Sequence, residues 1–316
     1  MKKTNPFVNS DTNKRYYTFD CFLKRKFGGK VIKIPLDGGF TCPNIDGTKG
    51  VGGCIYCSKS PLPGRGSSLE DQFARQRAIL LKKWGREDVK EQYIQYFQVF
   101  TNTYGSVDRL KTLYNEALSL RDTVGLSVAT RADCLADETV ALLRELHDRT
   151  YLTVELGLQT VHDETAGLIN RGHTYEEFLD AYRRLDGLNI CVHLINGLPG
   201  EDKGMMLETA RRIAELRPHA VKLHMLYVEQ NTALYDMWLE GKVPMLELEE
   251  YVDIVCSQLE LFHPDTVIER ITGDGEAGVL VAPMWSKKKF VVMNEIDKEL
   301  IRRDSFQGRL FGESQR

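Results

Sequence analysis

Three cysteines lie close together in a glycine-rich segment between residues 41 and 58. Cys42 stands alone, eleven residues follow, and Cys54 and Cys57 then form a C-x-x-C pair with Tyr56 directly before the last cysteine. Thiolates bind zinc, copper(I) and iron–sulfur clusters, and a closed structural site usually takes four protein ligands. Three thiolates therefore predict a metal centre with one open coordination position, where a substrate or cofactor can bind.

The glycines of this segment bear on the kind of metal centre. Gly47, Gly50, Gly52 and Gly53 allow backbone conformations that other residues avoid, so the loop can wrap around a bulky cluster. The alternative is a structural zinc ion completed by a histidine or by a fourth cysteine. The remaining cysteines are Cys21, Cys134, Cys191 and Cys256, and none belongs to a second C-x-x-C pair.

The composition is that of an ordinary globular protein. The 316 residues are 42% hydrophobic and 28% charged, and the net charge of −3 provides no overall basic field for nucleic-acid binding. Any RNA contact must therefore be local. Seven cysteines, an odd number, do not form a dense disulfide framework and favour a reducing compartment. No apolar leader and no run of about 18 apolar residues occurs, so we expect a cytoplasmic protein without membrane insertion.

Short β-branched or aromatic runs alternate with amphipathic segments from residue 31 onward. The predicted strands are Val31–Leu36, Tyr93–Phe100, Val124–Ala129, Leu152–Leu156, Ile190–Ile195 and Ala220–Val228. The predicted helices are Ser68–Trp84, Val107–Leu120, Asp137–His147, Tyr175–Leu185 and Met205–Leu216. This alternation predicts an α/β fold, a partial (β/α)6 TIM-type barrel, with its core at residues 30–270 and extensions at 1–29 and 271–316.

Polar residues recur where these predicted strands end. After the cysteine loop that follows the first strand come Asn102 and Thr103, Thr130 and Arg131, Gln159, and Asn196 with the sequence GLPG. Turns attract such residues for structural reasons alone. Because the carboxyl ends of parallel strands share one edge of the sheet, five successive polar ends favour an active site there.

The cysteine loop, with its aromatic residue before the third cysteine, resembles the cluster loop of the radical S-adenosylmethionine superfamily. Its long first spacing is similar to that of the Elp3-related branch. Further blocks similar to that branch are VELGLQT at 154–160, INRGHTYEEF at 169–178, GLPGE at 197–201 and ATRADCL at 129–135. The carboxyl-terminal region resembles the YhcC/YtqA-type (MnmL-like) subgroup.

The resemblance implies that Cys42, Cys54 and Cys57 hold a [4Fe–4S] cluster whose fourth iron binds S-adenosylmethionine. Reductive cleavage of this cofactor would give methionine and a 5′-deoxyadenosyl radical. A low-potential electron donor such as flavodoxin or ferredoxin is implied as a partner. Tyr56 would lie beside the adenine, where an aromatic ring can pack and exclude water.

The same resemblance implies further cofactor contacts. Gln159 is similar to a residue that hydrogen-bonds the ribose, and Arg171 to one that pairs with the methionyl carboxylate, for which a planar guanidinium is well suited. His193 occupies a position where related enzymes place another ribose contact, and the alternative is a core histidine bonded to a neighbour.

Two blocks depart from the family pattern. The second strand ends in FTNTYGS, where many members have a Gly-Gly-Glu-like segment for the amino group of the cofactor, so Asn102 and Thr103 are stand-ins. Ala129 and Ala132 replace the Glu and Pro of a related ETRPD block, which leaves Thr130, Arg131 and Asp133, with Thr130 as a candidate cofactor contact. No catalytic residue is identified; the polar candidates near strand ends are Asp133, Glu155, His173 and His224.

The subgroup resembles tRNA-modifying enzymes, which implies conversion of a 5-carboxymethylaminomethyl side chain on the wobble uridine to 5-aminomethyl. A methyltransferase could then act on the product. One alternative is a radical enzyme with a small-molecule metabolite as substrate. Another is a metal-bearing RNA-binding protein without catalytic activity.

Local basic segments bear on the RNA hypothesis. They are Lys24–Lys26, Lys287–Lys289 beside Trp285 and Phe290, and the pair Arg302 and Arg303. Basic residues next to aromatic ones suit phosphate contact and base stacking, although each run is also compatible with a solvated surface. The apolar run before Pro283 could cover the open side of the barrel, or pack without contacting substrate.

Overall fold

The protein is described by a computed structural model that covers residues 5–58, 62, 64–84, 91–273, 275, 276 and 278–312. The parts of the predicted extensions at 1–4, 274, 277 and 313–316 lie outside the described residues. The strands are β1 Ile32–Leu36, β2 Tyr93–Phe97, β3 Thr123–Arg131, β4 Tyr151–Gln159, β5 Asn189–Asn196, β6 Ala220–Met225, β7 Val228–Glu229, β8 Val267–Arg270 and β9 Leu280–Ala282.

The helices alternate with these strands. They are α1 Phe19–Phe27, α2 Leu69–Trp84, α3 Val107–Ser119, α4 Asp137–Arg149, α5 Asp163–Leu168, α6 Tyr175–Arg184, α7 Lys203–Glu215, α8 Ala233–Leu239, α9 Leu248–Leu261 and α10 Lys289–Arg302. A 3₁₀ helix covers Met284–Lys287. No helix in the described part of the chain has the length and apolar character needed to cross a membrane.

The main sheet is parallel and curls into a partial barrel. Its seven strands run in the order β1-β2-β3-β4-β5-β6-β8. The predicted partial TIM-type barrel is thus confirmed, but it has one strand more than the six predicted. The seventh strand was missed because Val267–Arg270 has only four residues, of which two are charged, and shows no clear alternation.

Capping residues mark the start of two of the predicted helices, α2 and α6. The Ser68 hydroxyl accepts a hydrogen bond of 3.1 Å from the backbone N–H of Asp71, at the start of α2. Thr174 and Glu177 form a capping box at the start of α6. The amphipathic helices then pack against the outward faces of the strands, as Leu126 and Leu156 illustrate with no exposed surface.

Helix α1 closes the amino-terminal end of the barrel. Its Phe22 and Phe27 rings lie 5.8 and 5.7 Å from the ring of Tyr151, the first residue of β4. Together with Val31 and Ile94 they form an apolar cluster at the base of the sheet. Apolar side chains therefore fill much of this end of the barrel.

A smaller cap covers part of the opposite end. Strand β9 pairs antiparallel with β7, which directly follows β6 at the carboxyl end of the sheet. Ala282 of β9 belongs to the same apolar cluster as Ile55 of the cysteine loop and Val228 of β7. The carboxyl-terminal segment therefore packs at the end of the barrel where the cysteine loop lies.

Candidate active site at the carboxyl ends of the strands

A cavity of about 280 Å³ lies at the carboxyl ends of the strands, beside the cysteine loop. The predicted residues that line it are Cys42, Cys54, Cys57, Tyr56, Thr130, Gln159, Arg171 and His193. It is also lined by residues that were not assigned as cofactor contacts from the sequence: Tyr96, Gln98, Phe100, Arg131, Glu155 and His173. The fold thus gathers most of the predicted site around one space.

The glycines of the cysteine loop adopt conformations that other residues would strain. Gly47, Gly52 and Gly53 have φ angles of 91°, 85° and 76°, in the left-handed region. A side chain at Gly50 would place its Cβ 2.3 Å from Oδ1 of Asn44. The loop therefore folds tightly back on itself.

Hydrogen bonds hold this loop against the connection between α5 and α6. The backbone N–H of Ile55 donates to the carbonyl of Ile169 at 3.1 Å, and the side-chain amide of Asn170 donates to the carbonyl of Gly53 at 2.8 Å. On the other side, the N–H of Leu234 in α8 donates to the carbonyl of Ile55 at 2.9 Å. The cysteines are thus placed by a loop with fixed neighbours on both sides.

The donor set fits an iron–sulfur cluster. Cys42, Cys54 and Cys57 are three thiols that line one cavity. A zinc ion needs its ligands about 2.3 Å from a single point. A cuboidal cluster distributes its cysteine ligands over separate iron atoms, so three thiols that share a cavity suit it.

The guanidinium of Arg131 lies beside the cysteines. It forms two 2.8 Å hydrogen bonds to the Asp133 carboxylate, and its Nη1 donates to the carbonyl of Arg171 at 2.7 Å. Burial raises the pKa of the Cys54 thiol, and the charge of Arg131 opposes this shift. Arg131 therefore supplies a fixed positive charge next to a predicted cluster ligand.

Arg171 is almost wholly buried, with 1% exposure, and most of its donors are already used. Nη1 donates to the carbonyls of Leu158 and Thr160 at 2.6 Å each, and Nε donates to that of His173 at 2.8 Å. Nη2 donates to Asp163 at 3.3 Å. One N–H of Nη2 has no partner among the described residues, so Arg171 can offer a ligand a single hydrogen bond.

Gln159 ends β4 in a conformation that is rare for a residue with a side chain. Its φ angle is 68°, and a Cβ on Gly157 would approach Nε2 of Gln159 to 2.9 Å. Gly157 therefore leaves the room that the amide occupies at the cavity wall. Such backbone strain is typical of functional sites, where the surrounding structure maintains it.

Asn102 and Thr103 do not line this cavity. The Asn102 amide donates to the carbonyls of Phe97 and Ala129 at 3.1 and 3.0 Å, and Thr103 shares a 2.5 Å hydrogen bond with Thr130. Their polar groups thus fix the ends of β2 and β3. Gln98 and Phe100 of the same segment face the cavity instead, which sequence matching did not indicate.

A layer of polar side chains crosses the barrel, with one member from each strand of the main sheet, and three of its members, Tyr96, Glu155 and His193, also line the cavity. We call it the charged layer; it consists of Lys33, Tyr96, Ser127, Glu155, His193, Lys222 and Glu269. At its centre is Glu155, whose side chain has no exposed surface. The apolar residues around α1 lie beneath this layer.

Five polar groups surround the Glu155 carboxylate. Oε1 accepts from Lys33 at 2.6 Å and from Ser127 at 2.7 Å. Oε2 accepts from Tyr96 at 2.6 Å and from Lys222, and it lies 2.8 Å from Nε2 of His193. Burial opposes ionisation, but the Lys222 and Lys33 ammonium groups outweigh it and hold the pKa of Glu155 well below its usual range.

Comparisons with known proteins agree with this geometry. A family model for the Radical SAM superfamily matches residues 47–213, and one for the Radical_SAM C-terminal domain matches residues 218–302. The chain is 45% identical over 98% of its length to the uncharacterized protein YtqA of Bacillus subtilis, 97% of which is covered. It is 36% identical over 88% of its length to protein YhcC of Escherichia coli K12, 90% of which is covered.

More distant similarities concern part of each relative. The tRNA uridine(34) acetyltransferase of Methanocaldococcus jannaschii is 31% identical over 50% of this chain and 30% of its own length. The solved structure of the archaeal Methanocaldococcus infernus Elp3 covers 88% of this chain with a TM-score of 0.62 at 20% identity. This chain spans 64% of that structure, and the likeness shows a shared fold. The chain belongs to the radical S-adenosylmethionine superfamily, in its Elp3-related YhcC/YtqA-type subgroup, and its cofactors are a [4Fe–4S] cluster and S-adenosylmethionine.

Proposed function

We propose that this superfamily enzyme modifies the wobble uridine of tRNA, converting a 5-carboxymethylaminomethyl side chain to 5-aminomethyl. The observation that carries the chemistry is the cavity that joins three cysteine thiols to the polar ends of the strands. The cofactors, when bound there, supply a radical that can remove hydrogen from an unreactive carbon. The choice of tRNA is supported by the relative named as a tRNA uridine(34) acetyltransferase.

The residues of the cavity divide into two groups by their chemistry. Cys42, Cys54 and Cys57 are proposed to hold the cluster, because they are the thiols that share the cavity. Tyr56, Thr130, Gln159, Arg171 and His193 are proposed to contact S-adenosylmethionine. Arg171 would give one hydrogen bond to the methionyl carboxylate, since its other donors are used by three backbone carbonyls and by Asp163. A flavodoxin or ferredoxin is proposed as the electron donor, and a methyltransferase as the next enzyme to act on the product.

The basic segments differ in their suitability for tRNA. Lys26 of α1 lies over the ring of Tyr151, at the barrel end opposite the cysteine loop. Arg302 and Arg303 are ion-paired to Glu299, on the same helix. The segment in α1 therefore lies far from the cysteine loop, and the two arginines already pair with a carboxylate. Both facts weaken the case for an RNA contact at these segments.

The segment after β9 is the better candidate for an RNA contact. Lys287, Lys288 and Phe290 are exposed, and Phe290 keeps 80% of its surface accessible. The segment follows a strand that pairs at the carboxyl end of the sheet. Trp285 is less available for stacking, because it is partly buried against the core and its ring lies 5.4 Å from that of Tyr251. We therefore propose phosphate contacts by the two lysines and base stacking on Phe290.

The function is tested by mass spectrometry of tRNA nucleosides from cells with and without the gene. We expect the gene-deleted cells to lose one hypermodified uridine and to accumulate its 5-carboxymethylaminomethyl precursor. Complementation with Cys54→Ala should fail. Complementation with Cys191→Ala should succeed, because Cys191 is a buried thiol of β5 that does not line the cavity.

An unchanged nucleoside profile, in a host that makes this modification, would contradict the tRNA proposal and favour a small-molecule substrate. Rescue by both alanine variants would contradict the assignment of Cys54 to the cluster.

A further inference from the structure

His193 has two ring nitrogens in different situations. Nε2 lies 2.8 Å from Oε2 of Glu155, within the charged layer. Nδ1 has no hydrogen-bond partner among the described residues. The side chain keeps 21% of its surface accessible and lines the cavity beside the cysteine loop. One nitrogen is therefore engaged by the protein, while the other is free for a ligand.

The surroundings of Glu155 decide which nitrogen carries the proton. Two ammonium groups, a phenol and a hydroxyl also donate to this carboxylate, and a pKa well below the usual range keeps it ionised. An ionised carboxylate can only accept hydrogen bonds. Its partner nitrogen in His193 must therefore be an N–H group.

The remaining question is whether Nδ1 is protonated as well. Burial and the nearby charge of Lys222 lower the pKa of His193, and Glu155 opposes this shift. The other ring close to it, His224 on β6, also has a pKa well below its usual value because of burial. At neutral pH the His193 ring is therefore uncharged, and Nδ1 keeps a lone pair.

We propose that Glu155 is a positioning residue that holds His193 with its proton on Nε2, so that Nδ1 accepts a hydrogen bond from an O–H or N–H group of the molecule bound in the cavity. Two sources have this chemistry: a hydroxyl of the nucleoside cofactor, and an amine or hydroxyl of the substrate. The proposal rests on the proposed function in that it takes this cavity as the place where the cofactor and the substrate bind, but it does not depend on the substrate being tRNA. In this proposal the charged layer fixes the His193 ring so that its Nδ1 atom is the hydrogen-bond acceptor in the cavity.

The tautomer can be measured directly in the reconstituted protein, with its cluster in the oxidised state, by ¹⁵N-edited NMR of its histidine rings, with His193→Gln used to assign the signal. We expect a neutral ring protonated on Nε2 between pH 6.5 and 8. A ring protonated on Nδ1, or a doubly protonated ring, would overturn the proposal. Ser127→Ala serves as the matched control, because Ser127 donates to the other oxygen of Glu155, and it should leave the tautomer unchanged.

Binding measurements identify the donor. In the reconstituted protein, His193→Phe should weaken binding of one ligand by about tenfold, the usual effect of losing one hydrogen bond, and His193→Gln should restore much of it. Weaker binding of S-adenosylmethionine in the absence of tRNA assigns the donor to the cofactor. A higher KM for tRNA with unchanged cofactor affinity assigns it to the substrate. If neither value changes, Nδ1 accepts no ligand hydrogen bond and the proposal fails, whatever the substrate is.

Discussion

Replacing Glu155 by Gln should destabilise the folded protein strongly. Glu155 has no exposed side-chain surface, and Lys33 and Lys222 keep only 16% and 5% of theirs. Without the Glu155 charge, the two ammonium groups would share Glu269 alone, at 2.7 and 3.7 Å. Because removal of one partner from a buried ion pair leaves an uncompensated charge, we expect a loss of about 3–5 kcal/mol in the free energy of unfolding. Typical domains have only about 5–15 kcal/mol in total.

The assay is urea unfolding of the metal-free protein under reducing conditions, followed by circular dichroism. Glu145→Gln is the matched control, since Glu145 pairs with Lys111 at 3.4 Å on the surface and should cost less than about 1 kcal/mol. Adding Lys222→Met to Glu155→Gln restores one cation to one anion, so the double variant should regain at least half of the loss. A loss for Glu155→Gln as small as that of the control would refute this reasoning. So would a loss for the double variant equal to the sum of the losses for Glu155→Gln and Lys222→Met measured separately.

Three further outcomes are expected. Gly53→Ala should abolish most iron uptake on reconstitution. Gly241→Ala is the control, because Gly241 lies outside the loop and has a φ of 73°, close to the 76° of Gly53, and this variant should retain iron. Equal iron contents in the two variants would contradict the role given to the loop. Exchange of Lys287 and Lys288 for Glu should weaken tRNA binding and lower its salt slope by about two, and an unchanged slope would exclude these phosphate contacts. Burial lowers the pKa of His173 to about 4 in the folded protein. As the pH falls below about 6.5, His173 therefore takes up a proton in the unfolded chain before it does so in the folded protein, and up to about 3 kcal/mol of stability is lost by pH 4. His173→Phe should flatten that part of the profile in urea titrations at several pH values, and superimposable profiles would contradict it.

Six strands and five helices of the barrel core could be predicted because their signals are local, whereas helices α1, α5, α8 and α9 were not predicted. Amphipathic segments and caps located the helices closely: Tyr175–Leu185 was predicted, and α6 covers Tyr175–Arg184. The cysteine loop could also be predicted, because its three thiols and four glycines lie within one short stretch. Strand β8 was not, since four residues with two charges carry no periodic pattern, and only pairing with β6 makes them a strand.

The charged layer was not predicted as a unit, because its members come from all seven strands and are spread from residue 33 to residue 269. Lys33 is a single polar residue in an otherwise apolar run, whereas Glu269 stands next to Arg270 in a strand of four residues. Lys33, Glu155 and Lys222 occupy inward positions that alternate with buried apolar neighbours, and that pattern was the available signal. Their meeting depends on the closure of the sheet, which no local pattern specifies.

The expectation that polar residues at the carboxyl ends of the strands form the site was only partly correct. It placed Thr130 and Gln159 at the cavity, whereas Asn102 turns its amide to the backbone of β2 and β3. Phe100 has a φ angle of 62°, and the chain changes direction there. A short polar side chain after such a turn can bond either the backbone or a ligand, and the sequence does not distinguish the two.

The central claim is that the cysteine loop supports radical modification of tRNA. The most direct test incubates the anaerobically reconstituted protein with S-adenosylmethionine, a reductant and tRNA from the gene-deleted strain, and then quantifies 5′-deoxyadenosine and the uridine nucleosides together. We expect 5-aminomethyluridine to form at the expense of its 5-carboxymethylaminomethyl precursor, in proportion to 5′-deoxyadenosine, and neither product to form with Cys54→Ala. Formation of 5′-deoxyadenosine with no change in any tRNA nucleoside would contradict the claim.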